Sequence, residues 1–340
     1  IGNMLSPRLS QQLNVGALVA DFCGFRGTEA ITVETAGASG AAAVRQATLA
    51  IRSGEINTAL VVGVEKMTDA VGTDVTTAIA GGADSDWELA HGLTAPAIAA
   101  LIMRRYMYEY SVPTDGLSGF SVNAHKNAST NSYAMFRNLI SHEQYSRGAM
   151  VSSPVNVFDS APDADGAAAL VITSLDRELV EGRTIQIAAS NLTTDSLAIH
   201  DREDLLTFSA AETSARYAYD QAGIDSNDID VAEIYDRFGV YTAMSLEACG
   251  FASQGSGWEM AQNGSVSLQG SLPISTFGGL KARGNPGGAT GVYQIVEIAQ
   301  QLAGTAKENQ VLDAKWALAQ CLGSSGATAV THILHMIDSR

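Results

Sequence analysis

The chain has 340 residues, 46% of them hydrophobic and 16% charged, and its 20 Lys and Arg against 36 Asp and Glu leave a net charge of −16. That length and apolar content sustain a large core, as two domains or one large α/β unit, while the acidity excludes a phosphate-tracking nucleic-acid binder, which needs clustered basic residues. Three scattered cysteines (Cys23, Cys249, Cys321) are too few for a disulfide scaffold or a zinc site and fit a reducing cytoplasm, and no apolar run reaches the ~18 residues of a membrane span.

The chain opens abruptly at Ile1-Gly-Asn-Met with no signal-peptide pattern, and is expected to be a fragment. Helix and strand patterns then alternate. ETAGASGAAAVRQA (Glu34–Ala47) reads as a strand end breaking into a helix through a glycine-rich turn. Such a helix start stabilises anions and activated nucleophiles, yet the position where a nucleophile would sit is Gly37. The helix AAAVRQATLAIRSG is terminated by Gly54. ALVVGVEKM (Ala59–Met67) starts as a continuous apolar run, which predicts a strand buried on both faces. Leu93–Tyr110 is a long amphipathic helix, Gly166–Ser174 a second buried strand and Thr184–Asn191 a third. SARYAYDQAGI is a helix ending near Gly223, followed by the strand Val231–Asp236; Gly288–Gly304 is another glycine-introduced helix. KWALAQCLGSSGATAVTHILHMI closes the chain as strand, tight glycine turn, strand.

GASGAAAVRQATLAIRSG is echoed by GATGVYQIVEIAQQLAG: a G-A-x-G turn opening a helix, once in each half. The echo predicts a duplicated α/β unit with a seam near Leu175–Arg183, giving halves 1–178 and 179–340, the first with an inserted loop region at about 70–150.

Together the motifs resemble one family. ETAGASGAAAVRQATLAIRSG followed by ALVVGVEKMTD is similar to the nucleophile-bearing segment of thiolases, GGLKARGNPGGATGVYQIVEI to their G-H-P-x-G-A-[ST]-G motif, and CLGSSGATAVTHIL to their closing C-x-G segment. HGLTAPAIAALIMRRYMYEY, VNAHKNASTNSYAMFR, SAPDADGAAALVITS and AEIYDRFGVYTAMSLEACGF resemble the archaeal-type and sterol-carrier-type branch. The resemblance covers essentially the whole chain. It implies a layered αβαβα fold of two similar halves, with a first strand and helix ahead of Ile1. It also implies coenzyme A thioesters as substrate with no permanently bound cofactor or metal, and a homodimer or thiolase-like heterodimer. A zinc-ribbon/OB-fold (DUF35-type) partner is implied as well.

The resemblance breaks at informative places. Gly37 stands where the family carries its acyl-accepting cysteine, and glycine cannot hold an acyl group. Asn285, in GNPGG, stands where the family has a histidine; asparagine can donate to an oxyanion but cannot take up a proton near neutral pH. YDRF (Tyr235–Phe238) replaces N-E-x-F or His-Asp-Cys-Phe, so Tyr235 is either a base tuned by Arg237 or a packed tyrosine with a satisfied hydroxyl. DSAP (Asp159–Pro162) stands where the archaeal branch often reads Cys-Ser-Pro. Cys321 matches the C-x-G thiol that serves as acid/base, against the alternative of an inert buried thiol. His91 and His125 match histidines that can face the pocket or pack in loops, whereas His200, His332 and His335 read as structural or exposed.

Two functions fit. One is C–C bond chemistry without a covalent intermediate, such as retro-aldol cleavage of a β-hydroxyacyl-CoA. Tyr235, Cys321, His91 and His125 are then the candidate bases, and Asn285 with the backbone N–H groups of Gly37 and Ala38 the candidate oxyanion donors. The other is a catalytically inactive thiolase-like subunit that scaffolds an active paralogue or an OB-fold partner.

Overall fold

The computed structural model describes residues 1–175 and 184–337. The seam predicted at Leu175–Arg183 lies, from residue 176 on, outside the described residues. In chain order the elements that place the site begin with helix α1 (Ser39–Arg52) and strand β1 (Thr58–Glu65), followed by helices α2 (Gly72–Ala80), α3 (Ala95–Glu109) and α4 (Ser118–Ala128). Next come strands β2 (Gly166–Thr173) and β3 (Thr184–Thr194), helix α5 (Ser209–Ala222), strand β4 (Val231–Ile234) and helix α6 (Gly239–Ala248). Helix α7 (Thr290–Ala303) and strands β5 (Trp316–Gly323) and β6 (Thr328–Ile337) complete them. Helices α2, α3 and α4 and the short helix His142–Ser146 thus lie in the stretch expected as an inserted loop region.

The punctuation follows side-chain chemistry. Gly54 and Gly223 follow α1 and α5 at φ +81° and +72°, left-handed conformations that glycine adopts without steric cost. Helix α3 starts on Thr94, whose hydroxyl accepts from the Ala97 N–H at 3.4 Å, with Pro96 in its first turn.

Strands β1 and β2 pair antiparallel, with Val61 opposite Leu170 and Gly63 opposite Ala168, and Gly2 bridges Gly63 to Val33 on the other edge. The second sheet has the order β3–β6–β5–β4, parallel between β4 and β5 and antiparallel elsewhere. Helices α1 and α7 lie between the sheets, and α5 covers β3 and β6 from outside. The result is the layered α/β arrangement the sequence predicted. Between the sheets, Val44 of α1 and Val292, Ile295, Ile298 and Leu302 of α7 pack with Val61 and with Ala317 and Leu334.

The prediction that β1 and β2 are buried on both faces is corrected. Leu60 and Val171, paired across the outer face, are 43% and 66% exposed. Helices α1 and α7 pack on the inner face alone, so burial alternates along both strands.

The G-A-x-G echo has a steric cause. Its last glycine lies at the α1–α7 crossing in each copy. A Cβ on Gly40 would come within 2.7 Å of the Gly288 carbonyl oxygen, and one on Gly291 within 2.6 Å of Ala41 Cβ. The two helix starts therefore meet backbone to backbone, each copy requiring the other's missing side chain.

Candidate active site

The turn between Val33 and α1 forms the site's floor. Ala36 adopts φ +51°, a left-handed conformation unfavourable for alanine. Its N–H is held by Glu34 Oε1 at 2.6 Å, and Ser39 clamps the turn by donating to the Ala36 carbonyl (2.6 Å) and accepting from the Thr35 N–H (3.0 Å). Gly37 is thereby fixed at the head of α1, facing the end of β4.

At that end stands Tyr235, 1% exposed. A Cβ on Gly37 would collide with Tyr235 Oη, lie 3.0 Å from Tyr235 Cζ and come within 2.8 Å of the Leu322 carbonyl oxygen. The tyrosine hydroxyl fills the space a side chain at position 37 would need. Cys321, at the end of β5, donates its thiol to the Gly37 carbonyl at 3.4 Å. Burial pushes Tyr235 up to about 12, opposed by the neighbouring Arg237 guanidinium, and pushes the Cys321 thiol up as well.

A small pocket opens over this floor. Ala36, Gly37, Tyr235, Arg237 and Tyr241 line it together with Ile79 at the end of α2, Ile98 of α3 and the β5–β6 turn residues Ser324 and Ser325. Arg237 lies 3.6 Å from Asp163 Oδ1, and the same oxygen accepts from Asn285 Nδ2 at 3.1 Å. Asn285 is thus linked through Asp163 and Arg237 to Tyr235.

Residues 1–153 match the description "Thiolase, N-terminal domain" and residues 192–336 "Thiolase C-terminal domain-like". An acetyl-CoA acetyltransferase of Methanothermobacter thermautotrophicus is 37% identical over 98% of this chain and 87% of its own. The chain belongs to the thiolase family. Rat sterol carrier protein 2 is 28% identical over 70% of this thiolase chain and 44% of its own. A solved structure titled Ltp2-ChsH2(DUF35) aldolase superposes with a TM-score of 0.80 at 24% identity, over 93% of this chain and 82% of that one. Thiolases act on CoA thioesters, and the pocket lies within the two matched domains.

The pocket gathers some of the sequence candidates and not others. Gly37, Tyr235 and Cys321 meet at its floor. The Ala38 N–H is taken by the Thr35 carbonyl at 3.2 Å. His91 is exposed, in the short turn Leu89–His91, and does not line the pocket. His125 is buried on α4, stacked on Phe136 with Nδ1 3.1 Å from the Asn138 carbonyl, also away from the pocket; burial pushes it down. Asp159 of the DSAP stretch is fully buried and accepts from the Tyr145 hydroxyl (2.5 Å), which ties it to the short helix His142–Ser146 rather than to the pocket. Asp163, Tyr241, Ser324 and Ser325 were not singled out by sequence. Asp163 offered no signal, being one acidic residue among several, whereas Tyr241 lies one helical turn beyond the YDRF stretch and its direction was recoverable from that spacing. Among the described residues no group of three or more His, Cys, Asp and Glu is placed to hold a metal ion, and no helix is long and apolar enough to cross a membrane.

Proposed function

We propose that this thiolase-family chain cleaves a C–C bond in a CoA thioester without a covalent acyl-cysteine, by retro-aldol cleavage of a β-hydroxyacyl-CoA. One observation carries the reading: the Tyr235 hydroxyl occupies the space that a nucleophile's side chain at position 37 would take. Position 37 is where the family's acyl-accepting cysteine belongs, and the site has a proton-transfer group there instead.

In the reaction the β-hydroxyl loses its proton and its oxygen becomes the carbonyl oxygen of the product ketone or aldehyde. The Cα–Cβ bond breaks, its electron pair forms the thioester enolate, and that enolate is protonated to give the shortened acyl-CoA. Tyr235 as phenolate takes the hydroxyl proton, with Arg237 stabilising the negative oxygen. Of the two backbone groups considered as enolate donors, we assign the role to Gly37, because the Ala38 N–H is already bonded. Cys321, against the Gly37 carbonyl, is positioned to return a proton to the enolate. Asn285 holds Asp163, and through it Arg237, rather than meeting the oxyanion itself. A thiolase-like dimer and a DUF35-type partner belong to the same proposal, which is in keeping with the aldolase title of the structural neighbour.

The test is turnover of a 3-hydroxyacyl-CoA by the purified chain, with acetyl-CoA and the carbonyl product quantified together. Cleavage abolished by Tyr235→Phe, with no acyl adduct on Cys321 by mass spectrometry, is the expected result; an adduct on Cys321 overturns the non-covalent mechanism. The second reading, an inactive subunit, is favoured by the burial that leaves both Tyr235 and Cys321 protonated at rest. No turnover by the chain, together with its co-purification with a thiolase bearing a cysteine at this position, would establish it.

A further inference from the structure

The walls of the pocket over Gly37 and Tyr235 are not held alike. Ile98, Tyr235, Phe238 and Tyr241 belong to the main hydrophobic core, and Ser325 is pinned by Arg202, which donates to its carbonyl at 2.7 Å. The wall formed by Ile79, Ala80, Gly82 and Ala83 comes from α2 and the turn after it. Ile79 packs in a separate small cluster with Leu5, Met67 and Ala78. In α2 only residues 78–80 are buried, and the residues before them are exposed apart from half-buried Val75.

Two carboxylates anchor the ends of this segment. Asp165 accepts from the N–H groups of Met67 (2.6 Å) and Thr68 (3.0 Å) and from the Thr68 hydroxyl (2.6 Å). Buried Glu88 accepts from the Asp84 N–H at 3.0 Å and, on its other oxygen, from the Ile199 N–H at 2.9 Å. Between these anchors, among the described residues, the hydrogen bonds of residues 69–83 run only to residues 66–83. Apolar contact therefore holds the stretch down, and a segment with few buried contacts and no long-range hydrogen bond opens at low cost.

The pocket has room for about one water molecule, so it seats no acyl group while α2 lies in this position. The α2 wall can retract without breaking a hydrogen bond to the rest of the fold. It also rests on the floor itself: a Cβ on Gly82 would lie 3.4 Å from Ala36 Cβ, one residue from Gly37. Closed over a bound ester, that contact keeps water from an enolate forming at Gly37.

We propose that residues 69–83 form a lid, anchored by Asp165 and Glu88, that lifts to admit the acyl end of a CoA thioester and closes over it. The inference rests on the reading that the Gly37–Tyr235 floor receives that acyl end.

The test locks the lid. Ala36→Cys with Gly82→Cys, in a Cys23→Ser background that removes the exposed thiol, sets two Cβ atoms 3.4 Å apart. That is close to the ~3.5–4.5 Å of a disulfide. Calorimetric titration with 3-hydroxybutyryl-CoA compares the oxidised protein with the same protein reduced by a phosphine. The oxidised form is expected to bind on the order of tenfold more weakly, with binding restored by reduction. Both titrations use one protein, so a loss caused by the substitutions themselves appears in both. Equal affinity in the two states overturns the lid while the CoA reading stands. A pair that does not oxidise shows that the closed contact is not populated, and overturns the lid as well. If the variant binds in neither state, hydrogen exchange of the unmodified chain decides. Residues 69–83 should exchange faster than α3 and slow on addition of the ester; exchange unchanged by a bound ester overturns the lid. Absence of binding by the unmodified chain overturns the CoA reading and the lid together.

Discussion

Tyr235 sets the pH behaviour of the proposed reaction. Held up to about 12 by burial, its hydroxyl is protonated near neutrality, and the phenolate fraction rises tenfold for each pH unit below that value. If the phenolate is the base, log(kcat/KM) for a 3-hydroxyacyl-CoA should climb with slope near one from pH 7 to pH 10, and a plateau below pH 8 would remove Tyr235 from that role. Position 37 gives an independent test of the same geometry. Gly37→Ala puts a Cβ against Tyr235 Oη and within 2.8 Å of the Leu322 carbonyl oxygen, and overpacking of this kind costs about 1–3 kcal/mol. In a Tyr235→Phe background the hydroxyl is gone, so the same substitution should cost at least ~0.5 kcal/mol less by denaturant unfolding. Strict additivity would mean the two residues do not meet. The contact also bears on restoring a nucleophile: Gly37→Cys with Asn285→His is expected to give no thiolysis until Tyr235 is made smaller. Much of this was legible in the sequence, because Gly37, Tyr235 and Cys321 each interrupt or complete a recognisable motif. The chain from Asn285 through Asp163 to Arg237 was not, since an ion pair between residues far apart in sequence leaves no local pattern.

At the level of elements, the glycine echo was legible as a repeat, and the structure supplies its reason in the close crossing of α1 and α7. Gly291→Ala would drive a Cβ into the Ala41 backbone, in a place where both partners are helix and neither can move alone. A loss of about 1–3 kcal/mol or more is expected by chemical denaturation. Gly72, at the start of α2, is the contrasting case: a Cβ there meets nothing within 4 Å and its φ is not positive. Gly72→Ala should be neutral or stabilise by about 0.4–1 kcal/mol through the unfolded chain. Equal destabilisation by the two substitutions would deny that crossing distance is what constrains Gly291. The strand reading failed where β1 and β2 were taken as buried on both faces. An apolar run shows that a strand can be covered on both sides, but whether a helix covers each side is decided by elements distant in sequence. Leu60 and Val171 lack that cover here.

Across the whole molecule, the first half is joined to the second sheet by a buried polar contact as well as by the α1–α7 crossing. His332 on β6 is fully buried, and its Nε2 lies 3.0 Å from the Ala41 carbonyl oxygen of α1. Burial pushes His332 down to about 4, assisted by repulsion from Arg45 and opposed by the Ala41 hydrogen bond. The folded pKa is below the unfolded value of about 6.5, so the unfolded chain takes up a proton first as pH falls. Stability from this group is therefore complete above pH 6.5 and is lost progressively down to pH 4. Between pH 7.5 and pH 5 that loss amounts to about 2 kcal/mol. Buried carboxylates act in the opposite sense over the same range: Glu297, pushed up to about 7, and Glu65, Asp159 and Asp236, raised by burial, bind protons more readily when folded and stabilise as pH falls. The net slope of the native chain is their difference, and only a comparison with a variant isolates the histidine. His332→Gln keeps an N–H donor for the Ala41 carbonyl and removes the titration. On moving from pH 7.5 to pH 5 it should lose about 2 kcal/mol less unfolding free energy than the native chain, measured by urea titration at both pH values. Parallel pH dependences would show that the joint between the halves does not sense protons at His332.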